Sequence, residues 1–186
     1  MTAVYCALVH HPVRGRDGRV MTSAITNVDV HDIARSARTY GVRRVYIAHP
    51  VKALRALAAK IMEHWATGYG STYNATRKDA LSLVRLEHDM DGAILALERE
   101  SGARPVIVAT SAREGGRRTR FDHLRAELES SPAPHLIVLG TGWGLTPEVL
   151  DRADVLLEPI CGPTDYNHLS VRSAAAVILD RLRGAR

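Results

Sequence analysis

The heptapeptide LGTGWGL at residues 139–145 sets three glycines in alternate positions between an apolar run and a Thr-Pro pair. Glycines so placed let a backbone come close to a ligand and offer it N–H donors. The spacing is G-x-G-x-G, not the G-x-G-x-x-G of dinucleotide folds, and it follows about the fifth strand where that fingerprint follows the first. No lysine follows to make a phosphate loop of the Walker type. The other reading of the heptapeptide is a plain turn. A second stretch, EPICGPTDYNHLSVRSAAAV at 158–177, is stiffened by Pro159, Gly162 and Pro163, and Asp165 or Asn167 stands where it can cap a final helix. It makes either a rigid wall for a flat, polar ligand or a capped helix with an alanine-rich face against a sheet.

A third stretch, TNVDVHDIARSARTYGV at 26–42, puts Ile33, Ala37 and Tyr40 on one helical face and Asp32, Arg35 and Arg38 elsewhere. An arginine held at the mouth of a sheet contacts phosphate or ribose; a solvated charged face is the plainer reading. Arg113, Arg117, Arg118 and Arg120 surround Gly115 and Gly116, a basic loop fit to grip phosphate or simply a solvated tip. Nine histidines include the pair His10-His11 and His31 near Asp29 and Asp32, yet no H-E-x-x-H or C-x-x-C accompanies them. No metal site is expected. Serine hydrolase chemistry lacks its G-x-S-x-G elbow.

These groups are positioned by strands alternating with amphipathic helices. Apolar runs predict strands at 3–9, 45–48, 80–86, 105–109, 135–139 and 155–157. Helices are expected at 28–40, ended by Gly41; from Pro50 to about 68; at 88–101, ended by Gly102; at 121–130; briefly after Thr146-Pro147; and from about 168 to 182. Residues 10–27 and GYGSTYNATRK at 68–78 read as irregular. The alternation calls for an α/β fold with a mainly parallel sheet and helices on both faces. With 186 residues and no linker, repeat or low-complexity tract, residues 1–186 read as a single domain.

Apolar residues are 46% and charged residues 24%, the balance of a folded chain and not of a disordered one. No run reaches the length of a membrane span, and MTAVYCALVHHPV has no basic leader or cleavage site. Cys6 and Cys161 form no metal-spaced pair, so a reduced, cytoplasmic protein is expected. The net charge of +5 leans towards an anionic partner, although 22 Arg against 3 Lys is also what coding bias produces.

Taken in order, these blocks resemble the SPOUT superfamily of trefoil-knotted, S-adenosylmethionine-dependent RNA methyltransferases. They are most similar to a single-domain bacterial group that also occurs fused behind tRNA guanine-N1 methyltransferase domains. LVHHPV, TSAITNVDVHDIARSARTYGV, HWATGYGSTYNATR, LGTGWGL and PICGPTDYNHLSVRSAAAVILDRL carry the likeness, which covers essentially the whole chain. The ribose-methylating SpoU-type branch has an N-x-x-x-x-x-R helix, a glycine loop and a closing S-L-N-V-S-V-A segment. The segment from Asp29 to Arg35 resembles the first with aspartate for asparagine, and LSVRSA at 169–174 resembles the third with Ser170 for asparagine.

The resemblance implies a deep C-terminal trefoil knot and a cofactor, S-adenosylmethionine, leaving as S-adenosylhomocysteine. It would lie against Thr110 after one strand, against Leu139, Gly140, Thr141, Gly142, Trp143 and Gly144 in the glycine loop, and against Ile160, Gly162, His168, Leu169 and Ser170 in the closing segment. It implies RNA, tRNA or rRNA, as substrate, with ribose 2′-O methylation favoured over base N methylation, and a homodimer pairing through the first and last helices. Arg35 is the catalytic-side candidate, binding phosphate and stabilising a developing alkoxide while water or Asp29 takes the proton. For a base acceptor, Asp165 is the proton taker. Arg38, Arg113, Arg117 and Arg118 are expected on RNA phosphates. A non-catalytic RNA- or nucleotide-binding module using the same fold is the alternative, separable by cofactor titration.

Overall fold

Every residue of Val4–Val9 (β1) is buried, and the strand lies near the middle of a six-stranded parallel sheet in a computed structural model that describes residues 2–185. After β1 come a small antiparallel hairpin, Val13–Arg14 (β2) and Val20–Met21 (β3), helix Asn27–Thr39 (α1) and strand Val45–Ala48 (β4). The crossover to Val84–Glu87 (β5) holds Lys52–Ala66 (α2), Tyr69–Tyr73 (α3) and Ala75–Leu81 (α4). Met90–Ser101 (α5), Val106–Ala109 (β6), Phe121–Ser130 (α6), His135–Gly140 (β7), Pro147–Asp151 (α7), Val155–Leu156 (β8) and Val171–Arg183 (α8) complete the chain. The strand order is β5-β4-β1-β7-β6-β8, all parallel.

A parallel sheet covered on both faces needs apolar residues at both alternations, and β1 supplies them. Val4, Cys6 and Leu8 join one core with α1, α4, α6 and α8. Tyr5, Ala7 and Val9 join the other with α5 and α7. The α/β reading of the sequence holds, helices on both faces included. Burial without a polar partner pushes the Cys6 thiol up to about 12, so it is a packing residue.

The expected boundaries shift where polar side chains cap helices. Thr26 accepts from the Asp29 N–H and starts α1 one residue early, while Asp89 accepts from Gly92 N at 2.8 Å and starts α5 at Met90. Residues 68–78 are not irregular. Two short helices meet there because Asn74 ends α3 and caps α4 through its bond from the Arg77 N–H at 2.9 Å. The strand expected from residue 80 begins at Val84, since Ala80 and Leu81 are the buried face of α4. Neither Asp165 nor Asn167 caps the last helix: Ser170 does, and α8 begins at Val171.

Candidate functional site

The C-terminal ends of β6, β7 and β8 carry three loops that meet. Asn167 donates its side-chain N–H to Ala112 O at 2.6 Å, which ties the closing segment to the loop after β6. The Trp143 and His168 rings lie 6.4 Å apart, and His168 meets Tyr166 edge-on at 5.6 Å. Thr110 donates its hydroxyl to Val138 O at 2.9 Å, pinning the start of its loop to β7. Glu158 N donates to Thr119 O and Thr119 N to Leu156 O, so the chain leaving β8 runs parallel to the loop after β6 at Thr119.

The four glycines here divide into two kinds. A side chain on Gly140 would strike Leu145 N at 2.7 Å, and one on Gly142, at φ +60°, would meet Arg14 O at 3.0 Å. These two serve the loop's own closure and its clamp on the hairpin, where Trp143 N donates to Arg14 O and Arg14 N to Gly144 O. Gly144, at φ +97°, and Gly162 face open space. Trp143 (52% exposed), Leu169 (45%) and half-buried Ile160 are apolar residues of the same loop and closing segment. Backbone polar groups with an apolar rim are what an adenosyl group asks of a site, and these residues fit it. Gly142→Val should abolish S-adenosylmethionine binding by calorimetry while circular dichroism stays native. The cause is displacement of the loop from the hairpin, since a branched residue at positive φ with backbone 3.0 Å away forces a shift. Unchanged affinity removes the loop from the site.

Other expected contacts lie differently. Thr141 is 9% exposed and turns its hydroxyl inwards to Val9 O at 3.2 Å and to Ser23 Oγ, leaving only its backbone for a ligand. The Ser170 hydroxyl accepts from Ser173 N at the start of α8, and Leu139 is a core side chain. Asp165 and His168 stand exposed on the closing segment.

On α1, Arg35 is exposed and its guanidinium has no hydrogen-bond or ion-pair partner among the described residues. Asp29 is 8% exposed and already engaged: it accepts from the Thr26 hydroxyl at 2.6 Å and from Arg172 at 3.3 Å. Six residues place Asp29 and Arg35 roughly 120° apart around the helix, so the two lie on different faces and do not converge on one acceptor within the chain. Arg38 is paired with Asp79 at 2.6 Å. Arg118, expected on RNA phosphate, donates its guanidinium to the carbonyls of Gly115, Leu157 and Arg113 and so staples its loop to the chain leaving β8. Burial lowers its pKa. Arg113 and Arg117 remain exposed.

Two features escaped the sequence reading. Arg172 bridges Asp29 and Asp32 at 3.3 and 3.5 Å and ties α8 to α1. Its signal was an arginine in the first turn of a helix, against the dipole, where a cation needs acids to hold it. The second feature is a buried polar chain behind the glycine loop, from His10 Nδ1 to Ser23 Oγ at 2.9 Å and on to Thr141. His49 sits beside it, ring centres 5.4 Å apart. Burial and the neighbouring His49 lower the His10 pKa to about 4, against a smaller opposite pull from Asp29. Among the described residues no three His, Cys, Asp or Glu gather as a metal site, and no helix is long and apolar enough to cross a membrane. A hollow of about 440 Å³ between α6 and α8 is lined by charges that pair among themselves, as Arg120 does with Asp122 and Arg125 with Glu129.

Residues 3–184 match the family model described as SAM-dependent RNA methyltransferase. An uncharacterized protein of Aquifex aeolicus (strain VF5) is 41% identical over 179 residues, covering 96% of this chain and 87% of its own. A tRNA (guanine-N(1)-)-methyltransferase of Nitratidesulfovibrio vulgaris is 43% identical over 181 residues, 97% of this chain but 42% of its own. The present chain thus spans less than half of that relative. Among solved structures, the A. aeolicus TrmH/SpoU tRNA modifying enzyme shares the fold with a TM-score of 0.52 at 19% identity, covering 98% of this chain and 73% of its own.

Proposed function

Because the chain belongs to the SAM-dependent RNA methyltransferase family, with the TrmH/SpoU fold, we propose that it methylates a ribose 2′-hydroxyl, with tRNA as the RNA. The observation that supports this reading is the meeting of three strand-end loops through Asn167 on Ala112 O and Trp143 beside His168, with an uncommitted Arg35 on the exposed side of α1. S-adenosylmethionine, held there by the backbone of residues 139–145 and by Ile160 and Leu169, supplies an electrophilic methyl group on sulfur. What the chain must do is place the acceptor oxygen behind that methyl and manage one proton and one developing negative charge.

Arg35 binds the phosphate beside the acceptor and stabilises the alkoxide. A guanidinium does not deprotonate in a protein, so it is not the base. Asp29, taken up by Thr26 and Arg172, is a positioning residue, and the proton leaves through water. Asp165 is the base of the competing reaction at a ring nitrogen. Mass mapping of RNA modifications lost on deleting the gene separates the two. Loss of a 2′-O-methyl supports the ribose assignment, and loss of a base methyl moves the catalytic weight to Asp165.

The C-terminal knot, a cytoplasmic site of action and a homodimer belong to the same proposal. The knot is supported by the run of residues 157–158 beside residue 119 and by the Arg118 staple onto Leu157 O. For the dimer, the alanine stripe of α8 argues less than its sequence does, because Ala175, Ile178 and Leu179 fill the chain's own core. The stronger support is an apolar rim at the mouth of the site. Met21 Sδ lies 4.0 Å from the Cβ position of Gly142, and Trp143, Tyr166 and Leu169 follow it, all at least 40% exposed. A second copy closing on that rim buries it and brings another α1 to the site. Sedimentation at micromolar concentration should give twice the chain mass; a stable monomer rejects the arrangement.

A further inference from the structure

All three lysines of this arginine-rich protein, Lys52, Lys60 and Lys78, fall in the crossover between β4 and β5. The same crossover carries two of the chain's most exposed aromatic rings. Tyr69 is 75% and Tyr73 73% exposed, and they stack on each other at 6.0 Å between centroids and 23° between planes. Four residues apart along α3, the rings form one continuous surface. Exposing two large rings together costs free energy unless something covers them.

The surroundings narrow the occupant. The residues flanking the rings include Gly68, Thr72, Asn74 and Thr76, small and polar. Lys52, Arg55, Lys60, Arg77 and Lys78 stand against two acids, Glu63 and Asp79, over residues 52–81. Asp79 is already neutralised by Arg38, and the Arg77 guanidinium lies 4.3 Å over the Trp65 ring. Stacked rings within a cationic, hydroxyl-rich surface are what unpaired bases and their phosphates require. The segment is also anchored to the side of the sheet that bears Arg35, since α4 packs on α1 and Arg38 of α1 holds Asp79 of α4. Trp65 fixes the segment from below. Its ring faces His31 of α1 edge-on at 5.5 Å, and the Cβ position of Gly70 lies 2.5 Å from it, so only glycine fits there.

We infer that Tyr69 and Tyr73 form a stacking platform for unpaired bases of the substrate RNA, next to the helix that carries Arg35. The platform rests on the methyltransferase reading and adds to it the part of the RNA that is recognised: a loop or single-stranded segment, not a duplex. Each ring should contribute about tenfold to single-strand affinity, within the range of base–aromatic stacking.

The test measures binding of a fluorescein-labelled single-stranded oligouridylate and of a duplex RNA of equal length to the full chain, by anisotropy, alongside S-adenosylmethionine titration. The variant Tyr69→Ala/Tyr73→Ala should lose roughly fifty- to hundredfold affinity for the single strand with duplex and cofactor affinities unchanged. Tyr69→Phe/Tyr73→Phe should bind like the native protein, because stacking does not need the hydroxyls. Equal losses for single strand and duplex, or no loss for either, overturn the platform while cofactor binding leaves the methyltransferase reading intact. Retained RNA affinity together with dimer loss on sedimentation assigns the rings to a contact between copies and equally overturns it. A native protein that binds neither cofactor nor RNA removes both readings.

Discussion

Arg35→Ala should lower the single-turnover rate of methyl transfer by ~10²-fold or more at saturating RNA and cofactor, with S-adenosylmethionine affinity retained. A charge that appears only as the acceptor oxygen loses its proton is stabilised only in the transition state, so its partner acts on rate and not on binding. The structure sharpens the comparison by sorting the arginines. Arg35 and Arg117 are exposed and uncommitted among the described residues, whereas Arg38 is paired with Asp79 and Arg118 with three carbonyls. Arg117→Ala should therefore weaken RNA binding and flatten its salt dependence by about one unit of slope or less, with the saturated rate nearly intact. Arg118→Ala should act on the loop, not on phosphate, and show as a lower thermal midpoint. If Arg35→Ala reacts at the native rate, Arg35 is a surface charge and the catalytic assignment fails.

What the sequence disclosed follows from how far apart the deciding partners lie. The six strands were legible because a doubly covered strand is an unbroken apolar run, as in VYCALV and HLIVLG. The glycine loop was legible as a loop. Its division into Gly140 and Gly142, which close it, and Gly144, which faces open space, depends on Leu145 and on Arg14, 128 residues before Gly142. The helices α3 and α4 were hidden because Gly68, Gly70 and Asn74 read as breakers, although Asn74 caps. Asp29 was singled out for its place in the N-x-x-x-x-x-R pattern, yet its partner Arg172 is 143 residues away and only the packing of α1 on α8 reveals that the two acids of α1 are spent on it. In the sequence His10 reads only as a possible metal ligand, and that leaves out what a buried, neutral imidazole does as a hydrogen-bonding strut.

The strut carries the second large effect, an acid lability that begins above the range of carboxylates. His10 is fully buried at the end of β1, and its Nδ1–H donates to Ser23 Oγ, whose hydroxyl in turn donates to Thr141. Nε2 is left unprotonated and without a partner among the described residues. His49 is held neutral in the same way: Nε2–H donates to Ser23 O at 2.9 Å and Nδ1 accepts from Val51 N–H at 3.0 Å. A proton on His10 would put a charge and an unpaired donor in the core beside that ring, and burial accordingly holds its pKa down at about 4. The unfolded chain takes up this proton near pH 6.5, the folded chain only near 4. The stabilisation is therefore complete above pH 6.5 and is lost as the pH falls towards 4. Between pH 7.5 and 4.5 the native protein should lose on the order of 2 kcal/mol or more to this one group, read from urea midpoints and slopes. His10→Gln keeps a donor for Ser23 and cannot titrate. Whatever its stability at pH 7.5, its further loss on acidification should be smaller than the native protein's by that amount. An identical pH dependence in the two proteins would show that His10 takes up its proton in the fold as readily as in the unfolded chain. Because the strut ends on Thr141, the folded native protein's affinity for S-adenosylmethionine should hold down to about pH 4.5 and weaken only as the pH nears 4, where the folded chain takes up the proton, and that of His10→Gln should not.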